Sequence, residues 1–355
     1  MAYPQLVIDS AAVAENTARI AERCAARSLS VVGVTKGMSA QPELARVMRA
    51  SGCSWLADSR LSNIARLRQA GIEGPYLLLR IPMADEIDEL LDLADVTLVS
   101  MTGTIDLLER ACRRRSCEIA SIAMIDLGDL REGFWPDEME RLAEAYRSAP
   151  RVRCLGVGVN FGCFGGVLPT VLNERRLVEV GAELERHLGH PLEILSGGAT
   201  SSLALLERGE LPEAINQLRI GEAILLGTDV TGNRIIPWLR QDTMELRGQV
   251  VEVRRKPSVP IGLIGADAFG NVPVFEDRGE RLRAIVALGR QDVRLEGVRS
   301  LLPGAEVLGA SSDHLLLDVE TCPSAPRLGD VVPFAVDYGA MLAATTSRYV
   351  EVKVL

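Results

Sequence analysis

The sequence predicts an α/β protein: a (β/α)8 TIM-type barrel over residues 1–235, followed by a smaller mainly-β domain over 236–355. Two features lead to this expectation. Between residue 5 and about residue 230, short apolar runs alternate with stretches of helical periodicity, and eight such units fit the arithmetic of a closed barrel. After Gly227 the texture changes to glycine, proline and alternating apolar residues, the pattern of a sheet with one wet face. A doubly wound open sheet is the alternative for the first part. It needs a phosphate loop after its first strand, and Val34-Thr-Lys-Gly-Met-Ser39 lacks one.

In chain order, Met1 to Asp9 offer one short apolar run as a strand of the β domain, and they lack the basic and apolar regions of a secretory signal. Asp9-Ser10 is an N-cap pair for a helix over Ala11 to Arg27. Strands are expected at 31–35, 54–57, 76–79, 95–99, 119–125, 154–159, 192–195 and 217–220. Helices fit between most of them, at 41–51, 61–70, 84–93, 103–115, 137–148, 173–188 and 201–208. Asp229-Val-Thr-Gly-Asn233 marks the change of domain, after which 245–253, 283–288, 315–319 and 331–336 read as strands.

Composition narrows the function classes. Hydrophobic residues make up 47% and charged residues 25%, an ordinary globular balance. No apolar run approaches the ~18 residues a membrane span needs. A net charge of −9 without a basic tract argues against nucleic acid. Seven scattered cysteines with no CxxC fit reduced thiols in a cytoplasmic protein better than a disulfide framework. Only three histidines are present, with His187 and His190 at a helix end, so no multi-histidine metal site is expected. Arg113-Arg114-Arg115 also falls at a helix end, where cations suit the dipole.

In a barrel, the reacting groups follow the strands. Lys36 closes the run Ser30-Val-Val-Gly-Val-Thr-Lys36 and is followed by Gly37. A lysine held at a strand end can be desolvated and its neutral amine used for Schiff-base chemistry; alone, it reads equally as a solvated strand-end lysine. Asp58, Arg80, the stretch Asp126 to Gly133, Asn160, Ser196-Gly197-Gly198 and Arg219-Ile-Gly221-Glu222 follow later strands. Ser196-Gly197-Gly198-Ala-Thr200-Ser-Ser exposes backbone N–H groups and leads into a helix N-terminus, an expected anion site. An anion site opposite a strand-end lysine points to pyridoxal phosphate, whose aldehyde needs an amine and whose tail needs an anion hole.

These motifs resemble the alanine racemase-like pyridoxal phosphate enzymes, and within them the alanine/ornithine racemase group. The likeness extends over nearly the whole chain, through Lys256-Pro-Ser-Val-Pro-Ile-Gly262, Asp267-Ala-Phe-Gly-Asn271, Gly289-Arg-Gln-Asp-Val293 and Gly309-Ala-Ser-Ser-Asp-His314. It implies an isomerase, a homodimer with shared sites that interconverts L- and D-amino acids, with Lys36 carrying the cofactor as an internal imine. Arg219 would face the pyridine nitrogen. A guanidinium does not take up a proton there, so the ring is a weaker electron sink and return of the proton to Cα is favoured. Arg131 would lie near the cofactor's phenolic oxygen and the substrate carboxylate, and Asn160 stands where many relatives have a histidine. Ser196, Gly197, Gly198, Thr200, Gly221 and Glu222 would surround the phosphate. Tyr338 matches a tyrosine that reaches the phosphate, or else is a strand aromatic of the β domain.

The departures bear on proton transfer. Alanine racemases carry a second base, a tyrosine, in Pro-x-Gly-Tyr-x-Asp-Gly; here Pro260-Ile-Gly-Leu263-Ile-Gly-Ala-Asp267 has none. Ala40 also replaces the tyrosine usually found four residues after the lysine. Asp313-His314 is the candidate replacement, since histidine exchanges protons near neutrality; an interior, hydrogen-bonded histidine is the alternative. Asp267 is either a substrate-binding group or a turn cap. The missing tyrosine implies a substrate other than alanine, such as ornithine or lysine. Two other readings remain: a non-catalytic pyridoxal phosphate carrier, which leaves 240–355 without a purpose, and a metal-assisted D-amino-acid lyase or aldolase, for which only His314 and Cys322 offer ligands.

Overall fold

The computed structural model describes residues 3–355. Strand β1 (Gln5–Ile8) and helix α1 (Ser10–Ala25) come first. The barrel follows: β2 (Ser30–Val34), α2 (Pro42–Ala50), β3 (Trp55–Asp58), α3 (Leu61–Gln69), β4 (Tyr76–Leu78), α4 (Ile87–Leu93), β5 (Val96–Val99), α5 (Thr102–Arg115) and β6 (Ile119–Ile125). It continues with α6 (Met139–Ser148), β7 (Val152–Val159), α7 (Val171–Leu188), β8 (Ile194–Ser196), α8 (Leu203–Arg208), β9 (Gln217–Ile220) and α9 (Glu222–Leu226). Strands β2 to β9 close into a parallel barrel, β2 pairing with β9 through Val32 and Arg219. The eight-unit expectation is met, with each strand within two residues of its expected place.

The barrel closes because its strands are apolar on both faces. Val32, Val34, Ala57, Leu77, Val96, Leu98, Ile122, Met124 and Leu155 form one buried cluster. Fully burying each aliphatic side chain contributes roughly 1.5–3 kcal/mol. The pairs 32/34, 96/98 and 122/124 share the period of two that points alternate side chains to one face. The α5 helix ends at Arg115, with Ser116 left-handed, which places the arginine run on its last turn.

A two-strand ribbon, β10 (Thr228–Asp229) with β11 (Arg234–Ile235), leaves the barrel. The mainly-β unit contains β12 (Met244–Pro257), β13 (Glu280–Ala287), β14 (Val298–Ser300), β15 (Glu306–Ala310), β16 (His314–Asp318), β17 (Val331–Val336), α10 (Tyr338–Thr346) and β18 (Glu351–Val354). Its sheet runs β14-β17-β12-β13-β16-β15, and β1 pairs with both β12 and β18. The long β12 is shared along its length, its first half facing β1 and β17 and its second half β13.

The chain therefore divides into Ser10–Gln241 and, apart from it, Asp242–Leu355 with the strand before Asp9. The break lies beyond the expected 235/236. Residues 236–241 return to the barrel unit: the Arg240 N–H donates to Asn16 Oδ1 at 2.7 Å, while Asn16 Nδ2 donates to the Arg240 carbonyl at 2.9 Å. A buried asparagine satisfied this way anchors the segment. Among the described residues no helix is long and apolar enough to cross a membrane.

Candidate active site

Lys36 stands one residue past Thr35 at the end of β2, in a single 3-10 turn, Lys36–Met38. The turn is held from the next strand. The Thr35 hydroxyl donates to Asp58 Oδ2 at 2.6 Å, and Asp58 also accepts from Asn63 Nδ2 at 2.9 Å and the Arg60 N–H at 3.0 Å. Burial pushes the Asp58 carboxyl above its ordinary range, and these donors pull it back. After the turn, Ser39 and Ala40 both adopt positive φ, 47° and 50°, uncommon for residues with a Cβ. A strained backbone of this kind persists where surrounding structure over-determines it, and it fixes the lysine's exit direction.

Among the described residues, no hydrogen-bond or ion-pair partner is within reach of Lys36 Nζ. Burial, aided by the positive charges of Arg131 and Arg219, lowers the lysine pKa; Cys163 and Asp58 oppose this. The shift favours the uncharged amine, the form that can act as a nucleophile or base.

Arg219 follows from β9, whose Gln217–Ile220 is wholly buried. Its Nη2 donates to the Val159 carbonyl at 2.6 Å, and Nη1 donates to Ser196 Oγ. Burial brings its pKa down to about 10, so it stays charged at neutral pH. No carboxylate pairs with it within salt-bridge distance among the described residues. Desolvating such a cation costs several kcal/mol, and two neutral acceptors recover only part of that. The arrangement suits a ligand that brings a further acceptor.

Arg131 reaches the same mouth from the loop after β6. With its amide oxygen turned toward the arginine, Asn160 accepts from Nη1 and Nη2 at 3.2 Å each. Burial works against the Arg131 charge, yet Glu132, which pairs with it, and Cys163 and Asp129 hold its pKa above the usual guanidinium value. The two loops are tied by Asp129, which is buried and accepts from the N–H groups of Phe164 and Gly165, both at 3.1 Å. Asp129→Ala is expected to lower stability by about 1–3 kcal/mol, since it leaves the Phe164 N–H unpaired while the Gly165 N–H keeps the backbone carbonyl of residue 129. It should also raise KM as Arg131 loses its seat; an unshifted urea midpoint would contradict this.

The anion turn is built without side chains at its centre. Gly198 has φ +95°, and a Cβ on Gly197 would lie 2.6 Å from Ile215 Cγ2 and 2.9 Å from Glu174 Oε2. The backbone N–H groups of Gly198, Ala199 and Thr200 donate to no protein acceptor among the described residues. Thr200 Oγ1 accepts from the Ala223 N–H at 3.2 Å, joining this turn to the Gly221 loop. The expected helix N-terminus is weak: α8 has 6 residues and α9 has 5, too few for a substantial dipole. Anion recognition falls instead to the turn's N–H groups and hydroxyls.

Lys36, Arg131, Asn160, Arg219, Ser196, Gly197, Gly198, Thr200 and Gly221 thus collect at the ends of the barrel strands. Glu222 is the exception: its carboxylate accepts from Thr228 Oγ1 at 2.7 Å and the Val230 N–H at 2.9 Å. Its side chain orders the 228–230 turn, and a carboxylate would repel a phosphate. The other expected residues lie in the mainly-β unit. His314 opens β16 and is exposed, so it is no interior histidine; the strand starts there and its buried positions begin at Leu315. Asp313 is also exposed and accepts from Gln291 Nε2. Asp267 caps a turn, accepting from the N–H groups of Phe269 at 2.9 Å and Asn271 at 2.8 Å, which hold its pKa low. Tyr338 begins α10 rather than lying on a strand.

Residues 8–229 match the family described as alanine racemase, N-terminal domain. The chain belongs to the alanine racemase family. It is 43% identical over 351 residues to a lysine racemase of Thermotoga maritima, covering 99% of this chain and 98% of the relative. It is 37% identical over 356 residues to an ornithine racemase of Acetoanaerobium sticklandii, covering 99% and 100%. The solved alanine racemase from a D-cycloserine-producing Streptomyces lavendulae superposes with a TM-score of 0.78 at 19% identity, over 100% of this chain and 97% of that one. A D-threonine aldolase from Filomicrobium marinum gives 0.74 at 19%, over 96% and 88%. At these identities the structural likeness is one of fold. The expected family and its barrel architecture are both found.

One buried group at the site escaped the sequence reading. Glu174 lies on α7 with no exposure. The signal was present: Leu177, Val180, Gly181 and Leu184 form the helix's buried stripe, and Glu174 falls in line with them. A carboxyl on an apolar stripe is a buried polar group that needs a reason.

Proposed function

We propose that this amino-acid racemase interconverts the enantiomers of a basic amino acid, lysine or ornithine, with pyridoxal phosphate held on Lys36. The observation that carries this reading is the meeting of an unpartnered, desolvated amine with two cations and a turn of undirected N–H groups. The residues fit the cofactor: Lys36 for its aldehyde, Arg219 for its ring nitrogen, and Gly198, Ala199 and Thr200 for its phosphate. When bound, the cofactor supplies an electron sink at Cα.

The protein's own residues then divide the work. Arg131 orients the substrate carboxylate through its planar fork, steadied by Asn160. Lys36 Nζ, uncharged, accepts the Cα proton on one face and can return it there. Racemisation also needs a proton donor on the opposite face, and Asp313-His314 of a second copy is the proposed source, with Asp267 near the substrate. A homodimer is supported by the segment 258–279, which has no helix or strand and leaves Ile261, Leu263 and Val274 at 91%, 106% and 94% exposure. Apolar surface of that kind is usually covered by a partner. The seven free cysteines support a reducing, cytoplasmic setting.

The substrate assignment draws support from the lysine and ornithine racemases that match the whole chain. Incubating a panel of L-amino acids in D2O tests it. Loss of optical rotation with deuterium at Cα is expected for lysine and ornithine and at most weakly for alanine. Exchange confined to alanine would overturn the substrate class, and no exchange with any amino acid would overturn the reaction.

A further inference from the structure

We propose that Glu174 is a positioning residue for the cofactor's phosphate, an uncharged carboxyl that forms the floor of the Gly197–Gly198 turn. The proposal rests on assigning that turn to the phosphate, as above. The geometry favours the proton. Ser202 Oγ lies 2.6 Å from the Gly197 carbonyl and 3.4 Å from Glu174 Oε1. A hydroxyl has one proton, and a carbonyl can only accept, so the shorter contact takes it. The contact with Glu174 is then a hydrogen bond only if the carboxyl brings its own proton. Glu174 Oε2, meanwhile, has no hydrogen-bond partner. It fills the space directly beneath Gly197, where a Cβ would stand 2.9 Å away.

Arg219 is the charged group that acts on Glu174. Arg219 approaches from β9, without forming an ion pair, Ser202 comes from the turn, and Ile215 is apolar. On its own helix, Arg175 and Arg176 are exposed. The N-terminus of α7 favours an anion, but its effect is small beside the desolvation of a fully buried carboxylate. Burial pushes the Glu174 pKa up to about 8, against the lowering effect of the Arg219 charge.

An uncharged floor serves the site twice. It leaves the N–H groups of Gly198, Ala199 and Thr200 to a dianion without a like charge beneath them. It also leaves the Arg219 charge unneutralised, so that the guanidinium remains available to the ring. Ionisation of Glu174 would reverse both effects.

The test uses pyridoxine 5′-phosphate, which has the phosphate but no aldehyde, so Lys36 chemistry does not enter. Its Kd is measured on the full-length chain freed of cofactor, wild type and Glu174→Gln, from about pH 6.5 to about pH 9.5. The two proteins should bind alike at the acid end. At the alkaline end Glu174→Gln should bind about fivefold to tenfold more tightly, because only wild type gains the buried charge. A Gln-to-wild-type ratio that stays flat across the range overturns the role of Glu174. Failure of wild type to bind pyridoxine 5′-phosphate or pyridoxal phosphate at any pH overturns the cofactor assignment instead. Should the variant fail to fold, infrared spectra of wild type carrying 13C-labelled glutamate decide the matter. An isotope-shifted stretch of a protonated carboxyl should be present at pH 7 and lost at the alkaline end; its absence at pH 7 overturns the proposal.

Discussion

Lys36→Ala is expected to lower the racemisation rate by about four orders of magnitude or more, since one side chain both holds the cofactor and moves the proton on one face. The visible band near about 420 nm that marks lysine-linked pyridoxal phosphate should vanish with it. The substitution is well suited to the question because the fold around it does not depend on the amine. Asp58 keeps its hydrogen bonds from Thr35, Asn63 and Arg60, and the buried core under β2 is untouched. Far-ultraviolet circular dichroism should therefore match wild type. Activity retained within tenfold would remove Lys36 from the reaction.

Arg219→Lys is the second large effect, expected to reduce kcat by roughly a hundredfold while the protein stays folded. Charge alone is conserved in this change. The guanidinium holds Ser196 Oγ and the Val159 carbonyl with separate nitrogens of one rigid plane. A compact ammonium on a flexible four-carbon stem cannot meet both and a ring nitrogen as well. Lysine can also lose its proton in a buried site, which would alter the ring's electron demand. Cofactor affinity should fall less than kcat, because the aldehyde and phosphate contacts remain. Equal losses in both would mean that Arg219 acts through cofactor binding alone, and no loss in either would remove it from the reaction.

The barrel could be read from the chain because its strands are short blocks of apolar and β-branched residues with turn signals at each end. That pattern puts Lys36, Asn160, Ser196 and Arg219 at or near strand ends without reference to any contact. Side-chain commitments between distant segments were not legible. Glu222 looked like part of an anion loop, but its carboxylate is taken by Thr228 and Val230. The return of 236–241 depends on Asn16, far away in sequence. Glu174 was hidden for a related reason: its significance comes from Gly197 and Ser202, and nothing local to α7 announces them. His314 differs again. Periodicity suggested a strand and hence an interior, but a strand's first residue need not be covered.

Strand β1 has a consequence for how the molecule is made. Gln5–Ile8 lies between β12 and β18, aligned with Arg247 to Met244 on one side and with Glu351 to Val354 on the other. It is therefore an inner strand, and its register on one side is supplied by residues 351–354, which are made long after it. The (β/α)8 unit draws only on Ser10–Gln241 and can assemble as it emerges. The four residues ahead of Ser10 must wait, extended and apolar, through most of translation before that side of the sheet exists. Synthesis and sheet closure are thus separated in time, and a substitution in Gln5–Ile8 would act on a late step of folding rather than the first.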